Sequence, residues 1–232
     1  MSEFIDIATP DGTFQAYVAK PQVAKAPAIV VLQEIFGINV DMKETCAWLA
    51  SEGFIAVCPD LFWRMEPGVS MSSLNEAEWK KGFEFYQRFN RDLGVADIAA
   101  TIETARKLPN CTGRVGVTGF CLGGLLTFLT ATRKSPDAAV AYYGGETDKY
   151  IDEARGLTRP LMMHLAEADE FIGPDARAKI TAGVKGNPHV TVHTYPGCNH
   201  AFARHQGVHY DAAAATAANA RTVAFLKKNL GM

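Results

Sequence analysis

A cysteine stands at the centre of Gly119-Phe-Cys121-Leu-Gly123-Gly124. A β-rich run (114–118) precedes it, and a helical pattern (122–133) follows. This is the arrangement G-x-S-x-G with cysteine in place of serine, in which a nucleophile sits on a strained strand-to-helix turn. The turn leaves no room for a Cβ beside the nucleophile, which accounts for the flanking glycines. The following helix aims its first N–H groups at the sulfur, and that positive end favours a thiolate and later an oxyanion. A nucleophile so placed calls for an acid and then a histidine, each on a loop after a later strand. Asp169 follows the run 161–165, and His200 follows the run 190–195 and a Pro-Gly turn. Cys121, Asp169 and His200 are therefore the expected triad.

Other assignments compete with each member. The pentapeptide alone fits an inert buried cysteine in a glycine-rich connection equally well. A phosphate-cradling loop is disfavoured, because neither G-x-G-x-x-G nor G-x-x-x-x-G-K-[ST] is present. Glu167 and Glu170 flank Asp169, but the shorter acid suits a buried orienting role. His164 and His193 lie inside strand runs and read as structural rings. His189 opens a strand, and His205 and His209 lie beyond His200 in a polar segment.

Positioning these groups requires a sheet. The runs 28–33, 54–58, 114–118, 138–142, 161–165 and 190–195 are short and β-rich, and most are continuously apolar. Helical patterns at 41–51, 75–90, 95–108, 122–133, 174–184 and 211–230 separate them. Continuous apolar strands are covered on both faces, and alternation with helices implies parallel crossovers. The runs 4–7 and 14–19 surround Asp11-Gly12 and predict an antiparallel hairpin. The expected fold is α/β: an α/β-hydrolase with a mostly parallel central sheet, helices on both faces and an N-terminal antiparallel hairpin. With no repeat, linker or composition break, residues 1–232 read as one domain.

Composition narrows the function. The chain has 232 residues, is 48% hydrophobic and carries a formal net charge of −2. Basic residues are scattered, so nucleic acid is not an expected partner. No stretch approaches the ~18 continuous apolar residues of a membrane span, and the acidic start is not a secretory signal. We expect a cytoplasmic monomer. The five cysteines form no CxxC pair and no metal-ligand spacing; free thiols and no metal or organic cofactor are expected.

Further motifs carry a family likeness. Gln33-Glu-Ile-Phe-Gly37, Cys58-Pro-Asp-Leu61, the elbow 119–124, Tyr142-Tyr-Gly144 and His200-Ala-Phe-Ala-Arg204 together resemble the dienelactone hydrolase family (carboxymethylenebutenolidases) across essentially the whole chain. The resemblance implies that Glu34 takes the thiol proton when substrate arrives, that Ile35 and Leu122 supply oxyanion-hole N–H groups, and that Arg204 binds a substrate carboxylate. Chemistry supports part of this. An acid at the end of an apolar strand needs a partner, the N–H after a nucleophile points at the developing oxyanion, and arginine offers a planar fork to carboxylate. A capping glutamate and a surface salt-bridge arginine are the plainer alternatives.

One departure stands out. Family members that hydrolyse dienelactone carry a second arginine after the Cys-Pro-Asp-Leu motif, where this chain reads Glu78-Trp79-Lys80-Lys81. The matching place falls near Trp79; Lys80 or Lys81 offers charge without bidentate geometry, and Trp79 an aromatic wall. The expected activity is opening of an activated enol lactone such as dienelactone through a thioester on Cys121. The alternatives are an esterase or lactonase acting on another activated ester, and a small-molecule binding module that lacks turnover.

Overall fold

Ala26–Leu32 is buried at every position, and so is Ala138–Tyr142. Only strands covered on both faces tolerate such sequences, since each fully buried Val, Leu or Ile contributes about 1.5–3 kcal/mol. In the computed structural model, which describes residues 2–232, they become the third and sixth of eight strands. These are β1 Ser2–Thr9, β2 Gly12–Ala19, β3 Ala26–Leu32, β4 Ile55–Pro59, β5 Cys111–Phe120, β6 Ala138–Tyr142, β7 Leu161–Ala166 and β8 Val190–Tyr195. The helices are α1 Val40–Ser51, α2 Glu76–Arg88, α3 Arg91–Arg106, α4 Leu122–Lys134, α5 Thr147–Tyr150, α6 Pro174–Val184 and α7 Ala212–Leu230. The strands form one sheet in the order β1-β2-β4-β3-β5-β6-β7-β8.

By contacts the chain divides into two compact units, residues through Val117 and Thr118–Met232. In the first, β1 and β2 form the expected antiparallel hairpin, and β2 pairs antiparallel with β4. β3 and β4 are parallel. Helices α1 and α3 pack on these strands. Their starts follow from Asn39 and Asn90, whose side chains accept the N–H groups of Met42 and of Asp92 and Leu93.

In the second unit β6, β7 and β8 run parallel, with Tyr142 opposite His164 and His164 opposite His193. Their carboxyl ends are thus in step, and the loops that follow leave from one edge. Helix α4 is buried along most of its length, and α7, capped by Asp211 on the Ala214 N–H, packs on β6 and β7. Two details depart from the pattern-based expectation. Strand β8 is only partly buried along most of its length, as an edge strand is. Residues 147–156 form α5 and a 3₁₀ turn, too short for a periodic signal.

Candidate active site

Cys121 follows β5 directly and adopts φ 54°, ψ −114°. A residue with a Cβ is disfavoured there, and such strain concentrates at functional turns. The surroundings enforce it. The Cys121 N–H donates to the Tyr142 carbonyl at 3.1 Å, and its carbonyl accepts from the Leu125 N–H at 3.1 Å. A Cβ on Gly119 would lie 2.2 Å from the Gly123 carbonyl oxygen, and one on Gly124 2.2 Å from that of Tyr142. Both positions require glycine. The sulfur-bearing residue is partly exposed, and Leu122 opens α4 immediately after it.

The acid and the base come from the loops after β7 and β8. Asp169 is buried, and its Oδ1 accepts the N–H groups of Phe171 at 2.8 Å and Ile172 at 3.1 Å. Both carboxylate oxygens lie 3.0 Å from His200 Nδ1. The His200 ring packs edge-on against Tyr143 and Phe171, with centroids 5.1 and 4.8 Å away. Burial by itself would lower the pKa of this ring. The neighbouring Cys121 sulfur and the Asp169 hydrogen bond outweigh burial and raise it from 6.5 to about 10. Nε2 is buried without an aligned hydrogen bond, a common state of catalytic imidazoles before substrate binds.

His164, read from its place in a strand as structural, is fully buried between the Tyr195 hydroxyl at 2.7 Å and Thr222 Oγ1 at 3.0 Å. Burial lowers its pKa well below the ordinary value, so it stays neutral. Its carbonyl accepts the Tyr143 N–H at 2.8 Å, fixing the ring that packs on His200.

Cys121, Leu122, Asp169, His200 and Arg204 all belong to the second unit. Arg204 is half-buried, on the turn that His200 begins, with its N–H donating to the Ala201 carbonyl at 3.0 Å. Glu34, Ile35, Trp79 and Lys81 belong to the first unit. Glu34 and Ile35 are buried just beyond β3, beside Gln33, whose Oε1 accepts the Leu61 N–H at 3.1 Å. Trp79 stacks on Phe83 with centroids 5.9 Å apart. The Lys81 ammonium pairs with Glu66 at 2.8 Å and lies over the Phe85 ring. Among the described residues, no cluster of His, Cys, Asp or Glu is arranged to hold a metal ion, and no helix is long and apolar enough to cross a membrane.

Phe171 and Tyr143, which pack on the His200 ring, and Asn199, which accepts the His200 N–H, are not candidates on sequence alone. Tyr143 lies within Tyr142-Tyr-Gly144, and its φ of 36° is not readable from that motif. Nothing in the sequence distinguishes Phe171 or Asn199.

The model of the dienelactone hydrolase family matches residues 14–230. The chain belongs to this family. It is a hydrolase that acts on ester bonds. The carboxymethylenebutenolidase of Pseudomonas putida is 40% identical over 227 residues, covering 97% of this chain and 96% of that one. Carboxymethylenebutenolidase 1 of Cupriavidus pinatubonensis is 39% identical, over 93% and 92% of the two chains. An α/β hydrolase from Penicillium sp. sh18 superposes with a TM-score of 0.74 over 100% of both chains at 13% identity, which speaks for the fold alone. The α/β-hydrolase fold expected from the elbow and the strand pattern is the fold of this dienelactone hydrolase family member.

Proposed function

We propose that this single-domain enzyme opens activated enol lactones, dienelactone among them, through a thioester on Cys121. The observation that carries the reading is a cysteine at a strained elbow beside an imidazole held by a buried carboxylate. Relatives named carboxymethylenebutenolidase across nearly the whole chain support the substrate class.

In this account His200 holds the proton of Cys121, and the thiolate attacks the ester carbonyl carbon. The Leu122 N–H, at the head of α4, donates to the oxyanion; one such donor is worth about 3–4 kcal/mol in comparable sites. The tetrahedral centre collapses, the C–O bond to the ring oxygen breaks, and the enolate leaves, taking the His200 proton. Water then gives a proton to His200 and attacks the thioester. The thiolate departs, and the acid product is released. A thiolate suits leaving groups better than itself. Against an alkyl ester it is expelled in preference to the alkoxide, and the first step runs backward. Enol and aryl esters are therefore expected to exceed matched alkyl esters in kcat/KM by about a hundredfold, or about 2.7 kcal/mol of barrier. Comparable rates on both classes contradict the thiolate mechanism.

Arg204 is proposed to receive a substrate carboxylate. In Arg204→Ala, loss of a charged hydrogen bond of about 1.5–3 kcal/mol raises KM for carboxylate-bearing lactones about 10- to 100-fold. Neutral esters are expected to change far less; equal loss on both in steady-state assays overturns the assignment. A second reading is an activated ester other than dienelactone. It is favoured by the absence of an arginine near Trp79, where the family resemblance implies one in dienelactone-hydrolysing members, and by Lys81 being held by Glu66. A substrate panel that varies the carboxylate separates the two readings.

A further inference from the structure

Asn199, the residue before His200, makes contacts that the proposed mechanism does not use. Its Oδ1 accepts the His200 N–H at 2.6 Å and the Glu170 N–H at 3.1 Å. Glu170 follows Asp169, so one amide oxygen ties the loop that carries the base to the loop that carries the acid. With the oxygen committed to two backbone donors, Nδ2 is the end that faces His209 Nε2, 3.5 Å away. His209 Nδ1 lies 3.2 Å from the His200 carbonyl. A carbonyl only accepts, so Nδ1 carries the proton and Nε2 is left to accept from Asn199. The Glu170 carboxylate stands 3.7 Å from the same Nδ1.

Both polar groups of the His200 main chain are thus held by side chains outside the proposed triad. The next residue, Ala201, has φ 60°, in the left-handed region that a Cβ disfavours. Such a conformation persists only where its surroundings over-determine it. Here the N–H and C=O of His200 are fixed by Asn199 and His209, and the Ala201 carbonyl accepts the Arg204 N–H at 3.0 Å.

We propose that Asn199, backed by His209, is a positioning residue. It holds the His200 main chain and the Asp169 loop in register, and so keeps the imidazole on its carboxylate. This rests on reading His200 as the general base. Neither residue touches a reacting atom, so the effect should fall on kcat rather than on substrate binding. It should also move the basic limb of the pH profile, because part of the raised His200 pKa comes from Asp169. A merely structural contact moves neither selectively.

The test uses the full chain and a neutral aryl ester. Asn199→Ala, which removes both hydrogen bonds from backbone, is expected to lower kcat about tenfold, with KM unchanged and the basic limb displaced to lower pH. Asn199→Asp, which keeps the oxygen, is expected to recover most of the rate. If Asn199→Ala does not fold, His209→Ala frees the other polar group of the His200 main chain, its carbonyl, and should lower kcat about threefold, with the same displacement of the limb. His200→Ala is measured in parallel. Should it retain activity, the general-base reading falls and the inference with it. Should it be inactive while the Asn199 and His209 variants keep wild-type kcat and pH limb, the inference alone is overturned.

Discussion

Cys121→Ala is expected to lower turnover of an enol ester by roughly 10⁴- to 10⁶-fold, the range found when the nucleophile of a comparable triad is removed. The substitution leaves the strained backbone at φ 54° in place, because alanine carries the same Cβ. The hydrogen bond from the residue 121 N–H to the Tyr142 carbonyl does not involve the side chain. Folding should therefore persist while chemistry stops, and thermal melts report the first as rate assays report the second. The loss should not add to others. In a unit of groups that act together, removing His200 from the Cys121→Ala protein costs little more, since nothing is left for the imidazole to activate. A variant retaining wild-type rates would remove Cys121 from the mechanism, whatever its geometry.

The second large effect belongs to Asp169. Asp169→Asn is expected to cost roughly 10³- to 10⁴-fold in kcat, in line with loss of the orienting carboxylate elsewhere. Asp169 Oδ1 accepts the N–H groups of Phe171 and Ile172. An asparagine there keeps its oxygen on those donors and turns its amide N–H₂ toward His200 Nδ1. Nδ1 must then accept, the proton moves to Nε2, and the nitrogen facing Cys121 can no longer take a proton. The direction of the pH effect follows as well. Burial lowers the His200 pKa, while Cys121 and Asp169 raise it to about 10; without the carboxylate it falls. The basic limb of kcat/KM should shift to lower pH in Asp169→Asn. The paired imidazolium also contributes stability that is full below its ordinary value of 6.5 and is lost as pH rises through about 10. Melting temperature should therefore decline less across that window in the variant. An unmoved limb contradicts the assigned partnership.

Much of this was legible because it is local. Continuous apolar runs became β3 and β6, and residues 174–184 and 190–195 became α6 and β8 as read. Asp11-Gly12 made the hairpin between β1 and β2. The elbow glycines signalled a close approach that the Gly119 and Gly124 contacts explain. The chain order of cysteine, acid and histidine anticipated the meeting of Asp169 with His200. What stayed hidden depends on pairs far apart in sequence. Asn199 looks like any turn residue until Glu170 is seen to donate to it. Phe171 is an exposed aromatic until His200 is seen beside it. Lys81 looked available for a carboxylate, and only the fold reveals Glu66 against it. Residues 147–156 are too short for periodicity to mark.

The most direct measurement is to weigh the enzyme within a single turnover. A neutral aryl or enol ester is mixed with the wild-type protein, quenched in acid within milliseconds, digested and analysed by mass spectrometry. The account predicts one acyl group on the peptide containing Cys121, labile to hydroxylamine and missing from Cys121→Ala. An acyl group on another residue, or an unmodified Cys121 in a sample that has released a stoichiometric burst of the leaving group, contradicts it.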